Sequence, residues 1–125
     1  MTQATTNLDS AARAYYTALD ANDPGAFERH LAPEAVFAFN DVDPVRGVQP
    51  ISDFVGAWKG NFTSVTHELV GLTVDQERER VGIEIVVSYV FPDDREVKVK
   101  GCSFLDFSAD GITGWRVYVD TSRLS

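Results

Sequence analysis

The sequence has almost no cysteine and no hydrophobic run long enough to cross a membrane. Cys102 is the one cysteine among 125 residues, which excludes an internal disulfide and a cysteine-ligated metal cluster. The apolar stretches fall well short of the roughly 20 residues that a membrane helix needs. The polar N-terminus does not have the basic-then-apolar pattern of a signal peptide. These absences predict a cytoplasmic protein that does not bind a membrane.

Basic residues and metal-ligand patterns are also scarce. Lysine and arginine number 11 against 19 aspartate and glutamate residues, giving a formal net charge of −8. An acidic surface repels phosphate backbones, so nucleic acid is not an expected partner. His30 and His67 have no second histidine or cysteine at ligand spacing, and no glycine-rich nucleotide loop is present. Neither a metal nor a cofactor is therefore expected.

What the chain does contain is enough apolar material for one packed core. Apolar residues make up 44% of the sequence and aromatic residues 11%, which is a globular composition. A chain of this length can bury a core without disulfides or metals. We expect one domain over residues 1–125, of which residues 1–7 form a flexible tail.

Apolar residues recur at helical spacing in three places of the first half. The first predicted helix starts near Asp9 or Ser10 and ends at the breaker-rich segment 20–25. A short second helix follows and is closed by Pro33. A third helix is predicted from about Gln49 to Trp58.

Nearly all of the predicted strands lie after these helices. Helices grouped first and antiparallel strands grouped after them indicate an α+β fold, with three helices on one face of a strongly curved antiparallel sheet. In the last strand, which follows an Asp110-Gly111 turn, alternation separates an apolar face from a polar one. The strands are 35–39, 62–74, 81–91, 96–107 and this final segment, whose apolar face is Trp115, Val117 and Val119 and whose opposite face is Arg116, Tyr118 and Asp120.

The order and spacing of several short motifs carry a family resemblance. The sequence resembles the SnoaL-like branch of the nuclear-transport-factor-2-like superfamily, which includes polyketide cyclases, limonene-epoxide hydrolases and ketosteroid isomerases. This resemblance implies a cone with a deep apolar pocket, and subunits that pair into dimers through the outer face of the sheet. The motifs are Tyr15-Tyr16 with Leu19, residues 31–37 (LAPEAVF), residues 44–47 (PVRG), and Asp110-Gly111-Ile112 with Trp115.

The hairpin of the two longest strands decides which side chains would face that pocket. A turn centred between Asp93 and Asp94 places Ser88 opposite Val99. The resemblance then assigns to the pocket the face that carries Glu84, Val86, Ser88, Ser103 and Leu105. The other face, with Ile83, Ile85 and Val87, becomes an outer surface rich in isoleucine and valine, which predicts a homodimer.

Three carboxylates are candidate acids or bases. Glu84 on a concave apolar face is the sharpest of them, although a strand glutamate in a surface ion pair is the alternative. Asp41, beside Asn40 at the expected pocket mouth, is the second, with Asx-turn chemistry as its alternative. The late acid that the resemblance implies for cyclases corresponds to Asp120, which enters the pocket only if a bulge turns it inward.

Three further side chains are candidates for donating or shuttling a proton. Tyr15 or Tyr16 is expected to donate its O–H to a ligand, with core packing as the alternative. His67 is a candidate proton shuttle, with a packed or exposed histidine as the alternative. The expected apolar and polar wall of the pocket consists of Phe37, Phe39, Asn40, Phe54, Trp58, Val86, Ser88, Ser103, Leu105, Trp115, Val117 and Val119.

The sequence departs from the relatives at their catalytic positions. Compared with ketosteroid isomerases, the position of the base falls on Phe39 and that of the acid on Ser103. The aspartate of limonene-epoxide hydrolases falls on Val117. We therefore expect a pocket for a hydrophobic small molecule, with cofactor-free acid–base catalysis of the cyclase, isomerase or hydrolase type. The alternative is a non-catalytic small-molecule-binding or dimerisation module of the same fold.

Overall fold

The computed structural model describes residues 7–124, and within them helices precede most of the strands. Asn7 caps the first helix by accepting a hydrogen bond from the Ser10 amide; the rest of the predicted tail, 1–6, lies outside the described residues. None of the helices described is long and apolar enough to span a membrane. The helices are α1 (Leu8–Asp20), α2 (Ala26–His30) and α3 (Val48–Lys59), followed late in the chain by a short 3₁₀ helix (Thr121–Leu124).

The strands form one curved, open sheet, and the helices pack against one of its faces. Four of the five strand pairings are antiparallel, namely β2-β1, β6-β5, β5-β4 and β4-β3, and the fifth joins β1 to β6 in parallel. The α+β cone is confirmed, but the sheet is mixed rather than wholly antiparallel. The strands are β1 (Leu31–Phe39), β2 (Val45–Arg46), β3 (Ser64–Asp75), β4 (Arg80–Val90), β5 (Glu96–Ser108) and β6 (Gly111–Val119).

The register between β4 and β5 differs by one residue from the predicted one. Ser88 pairs with Lys98, and Val87 pairs with Val99. The turn is centred on Asp93, because Asp94 adopts a positive φ of 68° and the Phe91 amide donates to the Arg95 carbonyl. Since side chains alternate along a strand, this shift moves the whole of β4 to the opposite face.

The buried face of β4 is therefore its isoleucine-rich face. Ile83, Ile85 and Val87 are buried against the helices, whereas Glu84 is exposed on the outer face. The prediction of an outer surface rich in isoleucine and valine was wrong, so this surface no longer supports a homodimer. The homodimer itself stays a prediction.

The last strand has the two faces that its alternation predicts. Trp115, Val117 and Val119 are buried, and Tyr118 on the other face is 44% exposed. The turn that leads into β6 depends on Gly111, whose φ of 120° is a region that residues with a Cβ rarely adopt. At this point β6 passes close to the end of α2.

We predict that Gly111→Ala destabilises the fold and that Gly56→Ala does not. A Cβ at Gly111 would lie 2.7 Å from the His30 carbonyl oxygen, so strain and clash should cost about 2 kcal/mol or more of unfolding free energy. Gly56 lies inside α3 with nothing within 4 Å of a new Cβ, so alanine there should add about 0.5–1 kcal/mol. Urea unfolding measures both; equal effects would contradict the turn geometry.

Candidate functional site

A small cavity lies between the concave face of the sheet and helices α1 and α3. Its volume is about 50 Å³, which is room for only a few water molecules. All of its lining side chains except Lys59, His67 and Tyr89 are hydrophobic or aromatic. The lining residues are Leu19, Phe37, Phe39, Phe54, Val55, Trp58, Lys59, Val65, His67, Val87, Tyr89, Trp115 and Val117.

His67 is held in the cavity wall by the last residue of α1. The Asp20 Oδ1 lies 2.7 Å from the His67 ring Nδ1, and Asp20 Oδ2 accepts the His67 backbone N–H at 2.7 Å. A carboxylate at Nδ1 favours the tautomer with a proton on that nitrogen. In a neutral ring this leaves Nε2 with the free lone pair, which is the arrangement of a general base.

Tyr16 packs edge-on against His67, with ring centroids 4.9 Å apart. Its hydroxyl donates to Ser103 Oγ at 2.6 Å and accepts the Trp115 indole N–H at 3.1 Å. Burial raises the pKa of Tyr16 to about 12, so the hydroxyl stays protonated. Its one proton is directed at Ser103, and donation by Tyr16 to a ligand stays a prediction.

Lys59 and Tyr89 complete the polar part of the lining. The Lys59 ammonium donates to the Leu19 carbonyl at 2.7 Å. Burial lowers the pKa of Lys59, and the Asp20 carboxylate opposes this shift. Burial raises the pKa of Tyr89, against a hydrogen bond from Trp58. Within residues 7–124 no group of three or more His, Cys, Asp or Glu side chains is placed to hold a metal ion.

The structure brings half of the predicted wall residues to the cavity. Three others are buried beside it: Ser103 as the partner of Tyr16, and Leu105 and Val119 in the core. The Asn40 side chain holds the Val119 backbone through two hydrogen bonds, Nδ2 to the carbonyl and Oδ1 to the amide. The predicted residues that line the cavity are Phe37, Phe39, Phe54, Trp58, Trp115 and Val117.

Several predicted residues lie away from the cavity. Glu84, Val86 and Ser88 are on the outer face, because the turn after β4 shifts the register by one residue. Asp120 follows β6 and is exposed; its Oδ1 accepts hydrogen bonds from the Ser122 amide and hydroxyl, which lower the pKa of Asp120. No bulge turns it inward at the end of β6.

Two other predicted residues are close to the cavity without lining it. Asp41 is exposed in a surface depression of about 540 Å³, which shares Phe39, Phe54 and Trp58 with the cavity. Tyr15 is fully buried against Trp115, with ring centroids 5.0 Å apart. Its hydroxyl has no hydrogen-bond partner among the described residues. Both side chains therefore keep their candidate roles only as predictions.

Comparison with known proteins settles the family. The sequence profile of the SnoaL-like domain matches residues 12–115, most of the chain. The chain belongs to the SnoaL-like domain family. No curated protein matches its sequence.

Solved structures agree with this SnoaL-like fold at low sequence identity. An NTF2-like protein of unknown function from Burkholderia pseudomallei is 14% identical with a TM-score of 0.85, covering 96% of this chain and 95% of its own. A polyketide cyclase candidate from Xanthomonas campestris pv. campestris is 23% identical with a TM-score of 0.79, covering 94% and 93%. An LEH-like epoxide hydrolase from M. tuberculosis is 18% identical with a TM-score of 0.78, covering 92% and 84%.

The SnoaL-like protein has apolar or hydroxyl residues where the resemblance placed the acids of its relatives. Phe39 and Val117 line the cavity as apolar wall, and Ser103 serves Tyr16. The candidate acid–base groups at this cavity are instead the His67 imidazole and the Asp20 carboxylate that holds it. Sequence reasoning ranked His67 below the carboxylates, because nothing local showed that Asp20, 47 positions away, would reach its ring.

We predict that Tyr16→Phe destabilises the protein by about 1–3 kcal/mol at neutral pH, because Ser103 and Trp115 each lose a buried hydrogen-bond partner. The free energies of unfolding of the wild type and of Tyr16→Phe should differ less at alkaline pH than at neutral pH. The unfolded tyrosine ionises near its ordinary pKa of 10, whereas folded Tyr16 does so at about 12. The wild type therefore loses this stabilising contribution between these two pH values, at about 1.4 kcal/mol per pH unit.

Chemical unfolding at a series of pH values up to 12 measures this difference. Tyr118→Phe is the matched control, since that hydroxyl is on an exposed side chain and its removal should change little at any pH. A stability difference between wild type and Tyr16→Phe that stays constant throughout would contradict the assigned network.

Proposed function

We propose that this SnoaL-like protein is a cofactor-free acid–base catalyst that moves a proton between carbon atoms of a small, largely apolar carbonyl compound. One observation carries the proposal: His67, whose ring is held by Asp20, lies in the wall of a cavity whose other lining residues are apolar or aromatic apart from Lys59. A C–H beside a carbonyl is acidic enough for an oriented imidazole to remove. The proposal favours the isomerase and cyclase types over hydrolysis, since none of the carboxylates among the described residues lines the cavity to activate water.

The chemistry needs a base that becomes a stabilised cation. The His67 Nε2 lone pair takes the proton from carbon, the C–H electron pair forms a C=C bond, and the carbonyl π electrons move to oxygen as an enolate. The Asp20 carboxylate stabilises the imidazolium that results. Return of the same proton to another carbon gives an isomer. Attack of the enolate carbon on a second carbonyl carbon of the same molecule closes a ring: the C–C bond forms, the π electrons of that carbonyl move to its oxygen, and this oxygen takes the proton back from His67.

The size of the cavity limits the substrate. A volume of about 50 Å³ accommodates a few heavy atoms, well below the roughly 300 Å³ or more of a site for drug-sized ligands. A larger substrate requires movement of Trp58 and Phe54, which separate the cavity from the depression that contains Asp41. Trp58 is partly exposed and lies at the C-terminal end of α3, and its displacement would break ring contacts with Phe39, Phe62 and Tyr89.

The second candidate function is binding of a hydrophobic small molecule without catalysis. The apolar lining favours it, since aromatic walls bind a ligand without reacting with it. The two functions differ in one measurable property. A catalyst exchanges a carbon-bound proton of its ligand with solvent, and a binding protein does not.

We predict that His67→Gln slows proton exchange on carbon by about 10²–10⁴-fold, and that Asp20→Asn slows it by a smaller factor. The assay follows the replacement of hydrogen by deuterium in a panel of small ketones and aldehydes by NMR in D₂O. Glu84→Gln is the matched control for Asp20→Asn, because it removes the same charge from the outer face of the sheet.

Circular dichroism of each variant confirms that it is folded before rates are compared. Exchange by Glu84→Gln should equal that of the wild type. A wild type that binds these ketones without exchanging their protons would support the binding function instead. Equal exchange by wild type and His67→Gln would remove His67 from the reaction.

We also propose that the protein forms a homodimer through the outer face of the sheet. Tyr118 of β6 is 44% exposed and packs edge-on against Phe104 of β5 with ring centroids 6.4 Å apart. Cys102, also on β5, pairs with Tyr118. This leaves a small apolar patch among charged side chains. Sedimentation should give a dimer for the wild type and a monomer for Tyr118→Lys, whereas a monomeric wild type would contradict the proposal.

The cytoplasmic location stays a prediction from the single cysteine.

A further inference from the structure

Lys59 shares the cavity wall with His67, and within the described residues no carboxylate lies close enough to form an ion pair with it, although the charge of Asp20 acts on it from nearby. Its ammonium donates to the Leu19 carbonyl at 2.7 Å, and it takes part in none of the ion pairs found among residues 7–124. An ammonium has three donors, and a neutral carbonyl uses one of them. Two of its donors therefore remain for an oxygen-bearing molecule that enters the cavity.

The end of α1 positions this cation and the base together. The Leu19 carbonyl accepts a hydrogen bond from the Lys59 ammonium, and the carboxylate of the next residue, Asp20, holds the His67 imidazole. Lys59 is the last residue of α3, and its side chain also lines a surface groove beside Pro24 and Phe27. The side chain thus lines both the cavity and this groove, and its ammonium is anchored at the residue that precedes Asp20 in α1.

The charges of the site favour a neutral substrate. Asp20 and Lys59 carry opposite charges, so with a neutral His67 they sum to zero. Removal of a proton from a neutral carbonyl compound creates an enolate and an imidazolium, and the sum stays zero. An anionic substrate would leave one uncompensated negative charge in an apolar, half-buried site, which is costly.

The two tyrosine hydroxyls of the site are less suited than the Lys59 ammonium to stabilise the negative charge that develops on the carbonyl oxygen. The Tyr16 proton is engaged by Ser103. Tyr89 lines the cavity, and a hydrogen bond from Trp58 reaches its hydroxyl, so Tyr89 remains the competing donor. The ammonium differs from both because it carries a full charge, and a charge-assisted hydrogen bond is about twice as strong as a neutral one.

We infer that Lys59 is the electrophilic catalytic residue of this cavity, and that its ammonium stabilises the enolate oxygen of a neutral ketone or aldehyde. As His67 Nε2 takes the carbon-bound proton, the electron pair that reaches the carbonyl oxygen faces the Lys59 ammonium. Lys59 keeps its proton throughout, and His67 returns the proton it took. The inference rests on the proposed function, since it needs His67 as the base.

The main experiment compares proton exchange by Lys59→Met with exchange by the wild type on the same small ketones. Loss of a preorganised donor to an enolate should reduce kcat/KM by about 10²–10³-fold. Lys100→Met is the matched control, because it removes the same charge from an exposed position on the outer face, and it should exchange as the wild type does. Tyr89→Phe tests the competing donor, and its kcat/KM for proton exchange should fall less than that of Lys59→Met.

A second measurement does not depend on turnover. The nitronate anion of nitroethane has the planar, oxygen-centred charge of an enolate, and nitroethane itself is its neutral counterpart. The wild type should bind the nitronate more tightly than nitroethane, and Lys59→Met should lose this preference. If Lys59→Met does not fold, the wild type still decides, because nitronate should shift the side-chain NMR signal of Lys59 and not that of Lys100.

The outcomes separate this inference from the proposed function. A wild type that exchanges no carbon-bound proton overturns the proposed function, while the nitronate preference still supports or overturns the role of Lys59. Exchange that depends on His67 but is equal in Lys59→Met and Lys100→Met overturns the inference alone. So does a greater loss in Tyr89→Phe, or a ketone trapped covalently on Lys59 by borohydride, since Lys59 would then act as a nucleophile.

Discussion

The turn between β4 and β5 is the constraint on which the cavity depends. Five residues, Phe91 to Arg95, connect the strands with Asp94 in a left-handed conformation. Because side chains alternate along a strand, a turn shorter or longer by one residue would bring Glu84 into the concave face and place Ile85 in solvent. The present turn buries the isoleucine and valine face of β4, which makes the cavity floor apolar and leaves the few polar groups at its walls isolated.

That isolation gives the Asp20–His67 pair its chemical interest. In water an exposed pair of this kind contributes little, but here the imidazole is in the wall of an apolar cavity with its side chain 16% exposed. The pair also connects α1 to β3, since Asp20 accepts the His67 backbone amide as well as the ring. One carboxylate therefore fixes both the position of a helix end and the tautomer of the candidate base.

The sequence predicted the elements of the fold and its apolar wall because these depend on local periodicity. The helices appeared from spacing such as Ala12, Tyr16 and Leu19, and β6 from the alternation after Asp110-Gly111. The acid–base site depends on features that periodicity does not contain. Glu84 was misplaced because the length of one turn decides its face, and His67 was ranked low because its partner lies 47 residues earlier in the chain.

The family resemblance was informative about the scaffold and less so about the site. The SnoaL-like profile covers residues 12–115, yet Phe39 and Val117 stand where the resemblance placed the acids of relatives. In this chain none of the carboxylates among the described residues lines the cavity, and the candidate acid–base pair lies where the end of α1 meets β3. If the proposed function holds, the same cone supports a different set of acid and base groups without a change in its strands.

The central claim is that Asp20 holds His67 with an unprotonated Nε2 available to the cavity. The ¹⁵N NMR spectrum of the His67 ring at neutral pH tests this most directly, because protonated and unprotonated ring nitrogens differ widely in chemical shift. We expect a proton on Nδ1 and a free lone pair on Nε2, with loss of this preference in Asp20→Asn. A wild-type ring that carries a proton on Nε2, with or without one on Nδ1, would contradict the role of His67 as the base.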